Sequence, residues 1–342
     1  MFRLAPELGV DLGTANILVY MRGKGIVLRE PSVVALARQS RNVLAVGEPA
    51  EQMVGRAPRD VVTVRPLSDG VIADYTTTQK MLAFLFDRIV GRKRLLRPRV
   101  LVSVPSQVTG VEKRAVLQAA REAGAGEALT IAEPMAAAIG AGLPISQPGG
   151  NLVVDIGGGA TDIAVLSLDG LVVSESLRAG GCRMDAAIQR HVKAAHSLVI
   201  GDRTAEEIKI KIGSAYPLER ETKLRVRGQD LVSGLPRTVE VSSEEVRGAL
   251  SEPVLAIVEK VRHVLEQTPP ELAADVIERG LVLTGGGALL RGLDQLLAAA
   301  TRIPVTVAED PLSCVALGAG RALEAYPALR ERAQSKLRVS HG

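Results

Sequence analysis

Two stretches of this chain carry the residue types of a phosphate and metal site. Residues 9–20 read GVDLGTANILVY and residues 153–166 read VVDIGGGATDIAVL. In each, an apolar run closes on an aspartate, passes through small residues and enters a second apolar run. Asp155 repeats Asp11 at a distance of 144 positions. A turn of small residues exposes successive backbone N–H groups, which can cradle phosphate oxygens. A bare carboxylate would repel phosphate, so the aspartates predict a bridging Mg2+ held largely through waters. The expected site has Asp11 and Asp155 orienting a hydrated metal. Gly13, Thr14, Ala15 and Asn16 would form one phosphate turn, and Gly157, Gly158, Gly159, Ala160 and Thr161 the other. Either motif alone is as well explained by a hairpin turn with an aspartate cap. Their pairing within a longer repeat favours the site. A third glycine turn, LTGGGALL at 283–290, presents Gly285, Gly286, Gly287 and Ala288 to a phosphate or a purine ring, or simply makes a tight strand-to-helix turn.

The repeat extends well beyond the turns. NILVYM and GIVLRE are joined by Arg22-Gly23-Lys24-Gly25, and DIAVLSL and LVVSESL by Asp169-Gly170, so each half begins with a predicted three-strand meander. RVLVSVPS, a helical pattern, ALTIAEP and the helix MAAAIGAG are matched later by GLVLTGGG, LLRGLDQLLAAAT, PVTVAEDP and the helix SCVALGAGRALEAY. Apolar strands alternating with helices predict parallel pairings with helices on both faces, hence two similar α/β domains. Two stretches, roughly 33–74 and 182–250, have no counterpart and read as insertions.

Composition bounds what this scaffold can do. The 342 residues suffice for two domains, and 46% hydrophobic with 23% charged residues predicts a globular rather than a disordered chain. Aromatics make up 2%, so the core must be built from Val, Leu, Ile and Ala, and few rings remain for stacking on bases. Nucleic acid is therefore not an expected partner. Cys182 and Cys314 form no CxxC pair, which predicts reduced thiols, a cytoplasmic setting and no metal cluster. The N-terminal MFRLAPELGVDLG has no uninterrupted apolar core and does not read as a signal peptide. Residues 134–154 lack charge, but Pro134, Pro144, Pro148 and Gly149-Gly150 divide them into a helix, a linker and a strand.

The ordered set VDLGTAN, VPSQVTGVEKRAV, EPMAAAIGAGLP, VVDIGGGATDIAV, TAEEIKIKIGSAYP, LTGGGALLRGLD and DPLSCVALGAGRAL resembles the actin/chaperone/sugar-kinase ATPase superfamily. Together with GKGIVLREPSVVAL and VRPLSDGVIADY, it is similar to the MreB group of bacterial actins, over about residues 8–326. The resemblance implies two duplicated RNase H-like α/β domains, with ATP and Mg2+ in the cleft between them. Domain I would span 1–144 plus a C-terminal helix at 312–342, and domain II 145–311. It further implies ATP-dependent self-assembly into paired protofilaments and a role in rod shape with membrane proteins of cell elongation and wall synthesis. By motif position Glu133 would polarise the attacking water, acting on the phosphate with Asp11, Asp155 and Thr161. Glu206 and Lys209, one helical turn apart, would contact adenosine, with Glu207 the alternative in register. Two departures stand out: Ala132 precedes Glu133 where the family often has a second acid, and Asp162 stands where many members carry Glu. Both bear on hydrolysis more than on binding.

A second surface has its own logic. Residues 88–111 contain no acid but carry Arg88, Arg92, Lys93, Arg94, Arg97 and Arg99 around Leu95-Leu96. Leucines flanked by cations suit an anionic bilayer, each cation contributing roughly 1 kcal/mol, summed over many subunits. RLLRPRVLV resembles the membrane loop of the same family, with the N-terminal MFRL assisting, which implies a peripheral protein at the inner face of the cell membrane. The alternative for Leu95 and Leu96 is a core position at a strand entrance. Alternatives for the whole chain are a soluble phosphotransferase of the superfamily, for which no further acceptor base stands out, and a chaperone-type ATPase, which would need a peptide-binding region after the core.

Overall fold

The computed structural model describes residues 5–91 and 96–325. The first apolar runs form the antiparallel strands Glu7–Leu12, Asn16–Met21 and Gly25–Pro31. Strand Arg99–Val104 then pairs parallel to Glu7–Leu12, and Glu127–Ala132 pairs parallel outside it. The second half repeats this with Asn151–Ile156, Thr161–Ser167 and Gly170–Leu177 as the meander, and Leu281–Thr284 and Val305–Val307 as the parallel pair. Across each five-stranded sheet the order is third, second, first, fourth, fifth strand of its half. The meanders and the parallel pairings expected from the sequence are both present.

Alternation along the strands divides the faces. In the first sheet Val100 and Val102 join a core with Leu8, Val10, Met81, Leu85, Phe86 and Val116. Leu101 points the other way, against Ala319 and Leu323 of the helix at 314–325. In the second sheet Leu152, Val154 and Ile156 face the larger core with Met184, Ile188 and Val258. Val153, Ala164 and Leu166 face Ala136, Ala137, Ala138 and Val315. The helix Glu133–Gly140 and the helix at 314–325 therefore form a middle layer with a sheet on either side. They cross closely: a Cβ built on Gly318 would lie 1.7 Å from the Ala136 carbonyl oxygen, and one on Gly140 1.8 Å from that of Cys314.

Local signals start the helices. Asp74 accepts from the Thr77 N–H at the head of Tyr75–Val90, and capping boxes from Thr109 and Ser242 open Gly110–Glu122 and Ser243–Gln267. The stretch from 134 to 154 is a helix, a linker and a strand, as its prolines and glycines predict. Between 33 and 74, Val34–Ala37, Val43–Val46 and Val61–Val64 make a three-stranded sheet, and between 182 and 250, Leu198–Val199, Lys223–Asp230 and Pro236–Ser242 make another.

Candidate functional site

The two aspartate turns are the same hairpin. Asp11 pairs across the strands with Leu18 and Leu12 with Ile17; Asp155 pairs with Asp162 and Ile156 with Thr161. In the second turn the Gly157 N–H donates to the Ala160 carbonyl (2.9 Å), leaving Gly158 and Gly159 at the tip. The tips meet. A Cβ on Gly158 would lie 2.6 Å from the Ala15 Cβ, and one on Gly159 2.3 Å from Thr14 Oγ1, so only glycine permits this approach. The Gly70 N–H donates to Thr14 Oγ1 at 3.0 Å, which brings the Asp69-Gly70 turn of the first insertion onto the junction. Asn16 is exposed, and Ala15 accepts from the Ser32 N–H at 2.9 Å.

Each aspartate is held by a hydroxyl from the end of its parallel neighbour strand. Ser103 donates to Asp11 at 3.1 Å, and Thr284 donates to Asp155 at 2.7 Å. Burial pushes Asp11 up to about 6 against the Ser103 hydrogen bond. Asp155 rises to about 7, through burial first, with Thr284 opposing and the charges of Asp11 and Asp162 adding. Glu133, the first residue of its helix, is raised well above the carboxylate range by burial and then by Asp162, Asp11 and Asp155. Asp162 is raised by burial, although it accepts from the Ser106 N–H (2.7 Å) and hydroxyl (2.8 Å). Four carboxylates from both halves thus converge within electrostatic reach. Among the described residues no Lys or Arg ion-pairs with any of them. Buried carboxylates without a cation suit a hard divalent ion such as Mg2+.

The remaining candidates are distributed unevenly. The Thr161 hydroxyl is fully buried and donates to the Ala179 carbonyl (2.7 Å), so its proton is engaged in holding the chain entering helix Gly181–His196. That helix starts against the second turn, with the Gly181 N–H on the Gly157 carbonyl (3.0 Å) and the Cys182 N–H on that of Gly158 (2.8 Å). Lys209, on helix Asp202–Ile212, reaches the same place, 2.9 Å from Asp185 and 3.2 Å from the Gly181 carbonyl. Glu206 is half-buried on the same helix, whereas Glu207 is exposed and ion-pairs with Lys211. Gly285 is held by the Pro311 carbonyl at 2.8 Å, and Gly286–Leu289 is a 3-10 turn with Gly287 packed on the Ile156 side chain. The third glycine turn therefore abuts the second, leading into a 3-10 turn before helix Leu293–Thr301.

Ser103, Thr284, Ser106 and Asp185 carry no signal as site residues in the sequence. The two strand-end hydroxyls could have been found only by placing the parallel strands in register. On the other surface, Leu96 is 42% exposed, while Leu95, Arg92, Lys93, Arg94 and the N-terminal four residues lie outside the described residues. Among the described residues, Arg88 pairs with Glu30 at 2.5 Å, and Arg99 with Glu127 at 2.6 Å and Glu7 at 3.4 Å. Among the described residues no helix is long and apolar enough to cross a membrane. Both cysteines are free.

Comparisons with known proteins agree with this architecture. The family model described as MreB/Mbl protein matches residues 5–331. The chain is 54% identical to the cell shape-determining protein MreB of Escherichia coli K12 over 93% of each chain. It is 51% identical to the cell shape-determining protein Mbl of Bacillus subtilis 168, over 96% of this chain and 98% of the other. A crystal structure of MreB5 of Spiroplasma citri bound to AMPPNP superposes with a TM-score of 0.90 at 37% identity, covering 97% and 99% of the two chains. The MamK double helical filament follows at TM-score 0.81 and 25% identity, covering 94% and 99%. With its duplicated sheets, its opposed aspartate turns and a family match over nearly its whole length, the chain belongs to the MreB/Mbl family of actin-like proteins.

Proposed function

We propose that the protein is an ATP-dependent, membrane-associated filament protein that helps set rod cell shape by organising wall synthesis. The observation that carries this reading is the convergence of Asp11, Asp155, Glu133 and Asp162 behind two touching small-residue turns. Mg2+, held through water by Asp11 and Asp155, would neutralise charge on a bound triphosphate. Gly13, Thr14, Ala15 and Asn16 take one side of that phosphate chain, and Gly157, Gly158 and Gly159 the other. Glu133, half-buried and with its affinity for protons raised, is suited to accept a proton from the attacking water. Thr161 acts by positioning, through its bond to Ala179. Glu206 and Lys209 flank the nucleoside end and Gly285, Gly286, Gly287 and Ala288 line it; the AMPPNP-bound neighbour supports this reading.

In the same reading domain I comprises 1–144 with 312–342, and domain II 145–311. Their relative closure on nucleotide governs assembly, a reading that the MamK filament supports. Exposed Leu96, with Leu95, meets an anionic membrane surface at the cytoplasmic face. Sedimentation tests the whole proposal: ATP raises the pelleted fraction, and anionic liposomes recruit the protein unless Leu95 and Leu96 are both replaced by Ser. A pelleted fraction indifferent to ATP and to liposomes refutes it.

A further inference from the structure

Helix Gly181–His196 ends far from the carboxylate cluster; at about 1.5 Å rise per residue, His196 is roughly 20 Å from the first turn of the helix. There, His191 and His196 meet Glu245, the third residue of helix Ser243–Gln267. One ring nitrogen from each histidine and one carboxylate oxygen lie within 4.8 Å of one another. The histidine rings stand edge to face, with centroids 6.5 Å apart. His196 Nε2 is 3.1 Å from Glu245 Oε1. The other oxygen of Glu245 accepts from the Ser242 N–H (2.7 Å) and hydroxyl (3.0 Å), which fixes the carboxylate with Oε1 turned toward the histidines. His191 Nε2 is buried with no hydrogen-bond partner. A buried imidazole nitrogen left unpaired costs free energy that a ligand would recover.

We propose that His191, His196 and Glu245 form a binding site for a borderline transition-metal cation of the Zn2+ class. Two imidazoles and one carboxylate are a donor set suited to Zn2+, Co2+ or Ni2+, whereas Mg2+ and Ca2+ prefer all-oxygen shells. A fourth position remains for water, since the His196 and Glu245 side chains keep 20% and 35% exposure. The helix C-terminus favours a cation at this place. Arg237, which donates to the His196 carbonyl, has its own charge met by Asp230 at 2.6 Å. Metal here would join the end of the helix that starts on the second phosphate turn to the start of helix Ser243–Gln267. It would thereby stiffen the outer part of the second half.

Co2+ binding to the full-length protein tests the site by visible absorption, in excess Mg2+ to block all-oxygen sites. Exposed Cys182 is replaced by Ser throughout, so that no thiolate contributes. The expected result is a single class of Co2+ site with d–d bands, displaced by Zn2+, and a higher melting temperature with Zn2+. His191→Gln and His196→Gln should each weaken binding at least tenfold. Glu245→Gln should do the same while keeping the fold, because Gln also completes a capping box. Absence of Co2+ binding, or variants that bind as tightly as the parent, would overturn the assignment.

Discussion

Asp155→Asn isolates the electrostatic strain of the site. A buried carboxyl raised from 3.8 to about 7 keeps a proton in the folded state that the unfolded chain has released. Between those two values the folded state binds more protons, so stability falls as pH rises through the window and is level above it. At about 1.4 kcal/mol for each pH unit, the full penalty at pH 8 is about 4 kcal/mol, and at pH 5.5 about 2 kcal/mol. Asn removes the ionisation, keeps an oxygen for the Thr284 hydroxyl and turns an amide toward the neighbouring carboxylates. Without nucleotide or Mg2+, the variant should therefore be more stable than the parent by up to about 4 kcal/mol at pH 8. An unfolding entropy of about 2.1 cal/mol/K per residue over 342 residues converts this to a rise of about 6 °C in melting temperature. The gain should halve at pH 5.5 and vanish near pH 4. Mg2+ with ATP should reverse the order, because only the parent retains the charge that the metal needs. Calorimetry at the three pH values measures all of this. A variant no more stable than the parent at pH 8, or one whose advantage does not change with pH, refutes the reasoning.

Four further outcomes are expected. Glu133→Gln should leave nucleotide affinity within a few-fold and slow phosphate release by about 10²–10⁴-fold, checked by equilibrium binding beside single-turnover hydrolysis. Thr284→Val removes the hydroxyl that stabilises ionised Asp155; it should cost about 1–3 kcal/mol at pH 8 and clearly less at pH 5.5, read from denaturant midpoints. Gly318→Ala sets a methyl carbon against the Ala136 carbonyl where 1.7 Å is available, so the middle helices must separate; thermal unfolding should show a loss of about 1–3 kcal/mol or more. Arg99→Gln breaks ion pairs at the strand entrance rather than a lipid contact, so it should shift stability by about 1 kcal/mol or less and leave liposome recruitment unchanged in a flotation assay.

The features legible in the sequence are those fixed by neighbours in the chain. A hairpin needs only its two apolar runs and a turn, so Asp11 and Asp155 could be placed at strand ends, and the 144-residue repeat set the two halves side by side. Pro134 after a strand marks the helix start at Glu133, but its role as the residue beside the water came only from the resemblance of the motif. What escaped depends on long-range register. Ser103 meets Asp11 across 92 residues, and Thr284 meets Asp155 across 129, each sitting in an apolar run where a lone hydroxyl looks incidental. The ion pairs of Arg88 and Arg99 escaped for the same reason: Glu30 is 58 positions from Arg88, so a run without acids looked uniformly basic until the sheet brought acids to it. Helical phase separated Glu206 from Glu207. Residues one apart project about 100° apart, and Ala205, Ile208 and Ile212 define the buried face of helix Asp202–Ile212, which leaves Glu206 half-buried and Glu207 exposed.

Duplication explains the scaffold, but the carboxylate cluster is completed where the two copies differ. Asp11 and Asp155 are equivalent, each closing the first strand of a half and each taking a hydroxyl from the fourth strand. The position facing Asp155 across the hairpin is Asp162, whereas the one facing Asp11 is Leu18. Glu133 follows the fifth strand of the first half inside the carboxylate cluster; its repeat partner Glu309, after the fifth strand of the second half, is exposed. Two equivalent aspartates would suit one shared metal, but a water attacking one phosphate approaches from one side only. In the function proposed above, Glu133 from one half and Asp162 from the other, whose charges act on each other, would supply that single side. Moving the function to the other copy by Glu133→Ala with Leu18→Asp should therefore fail to restore hydrolysis, because Glu309 is exposed and is not among the charges that act on Asp11, Asp155 or Glu133. Restored turnover in that double variant would show that the two halves are chemically interchangeable.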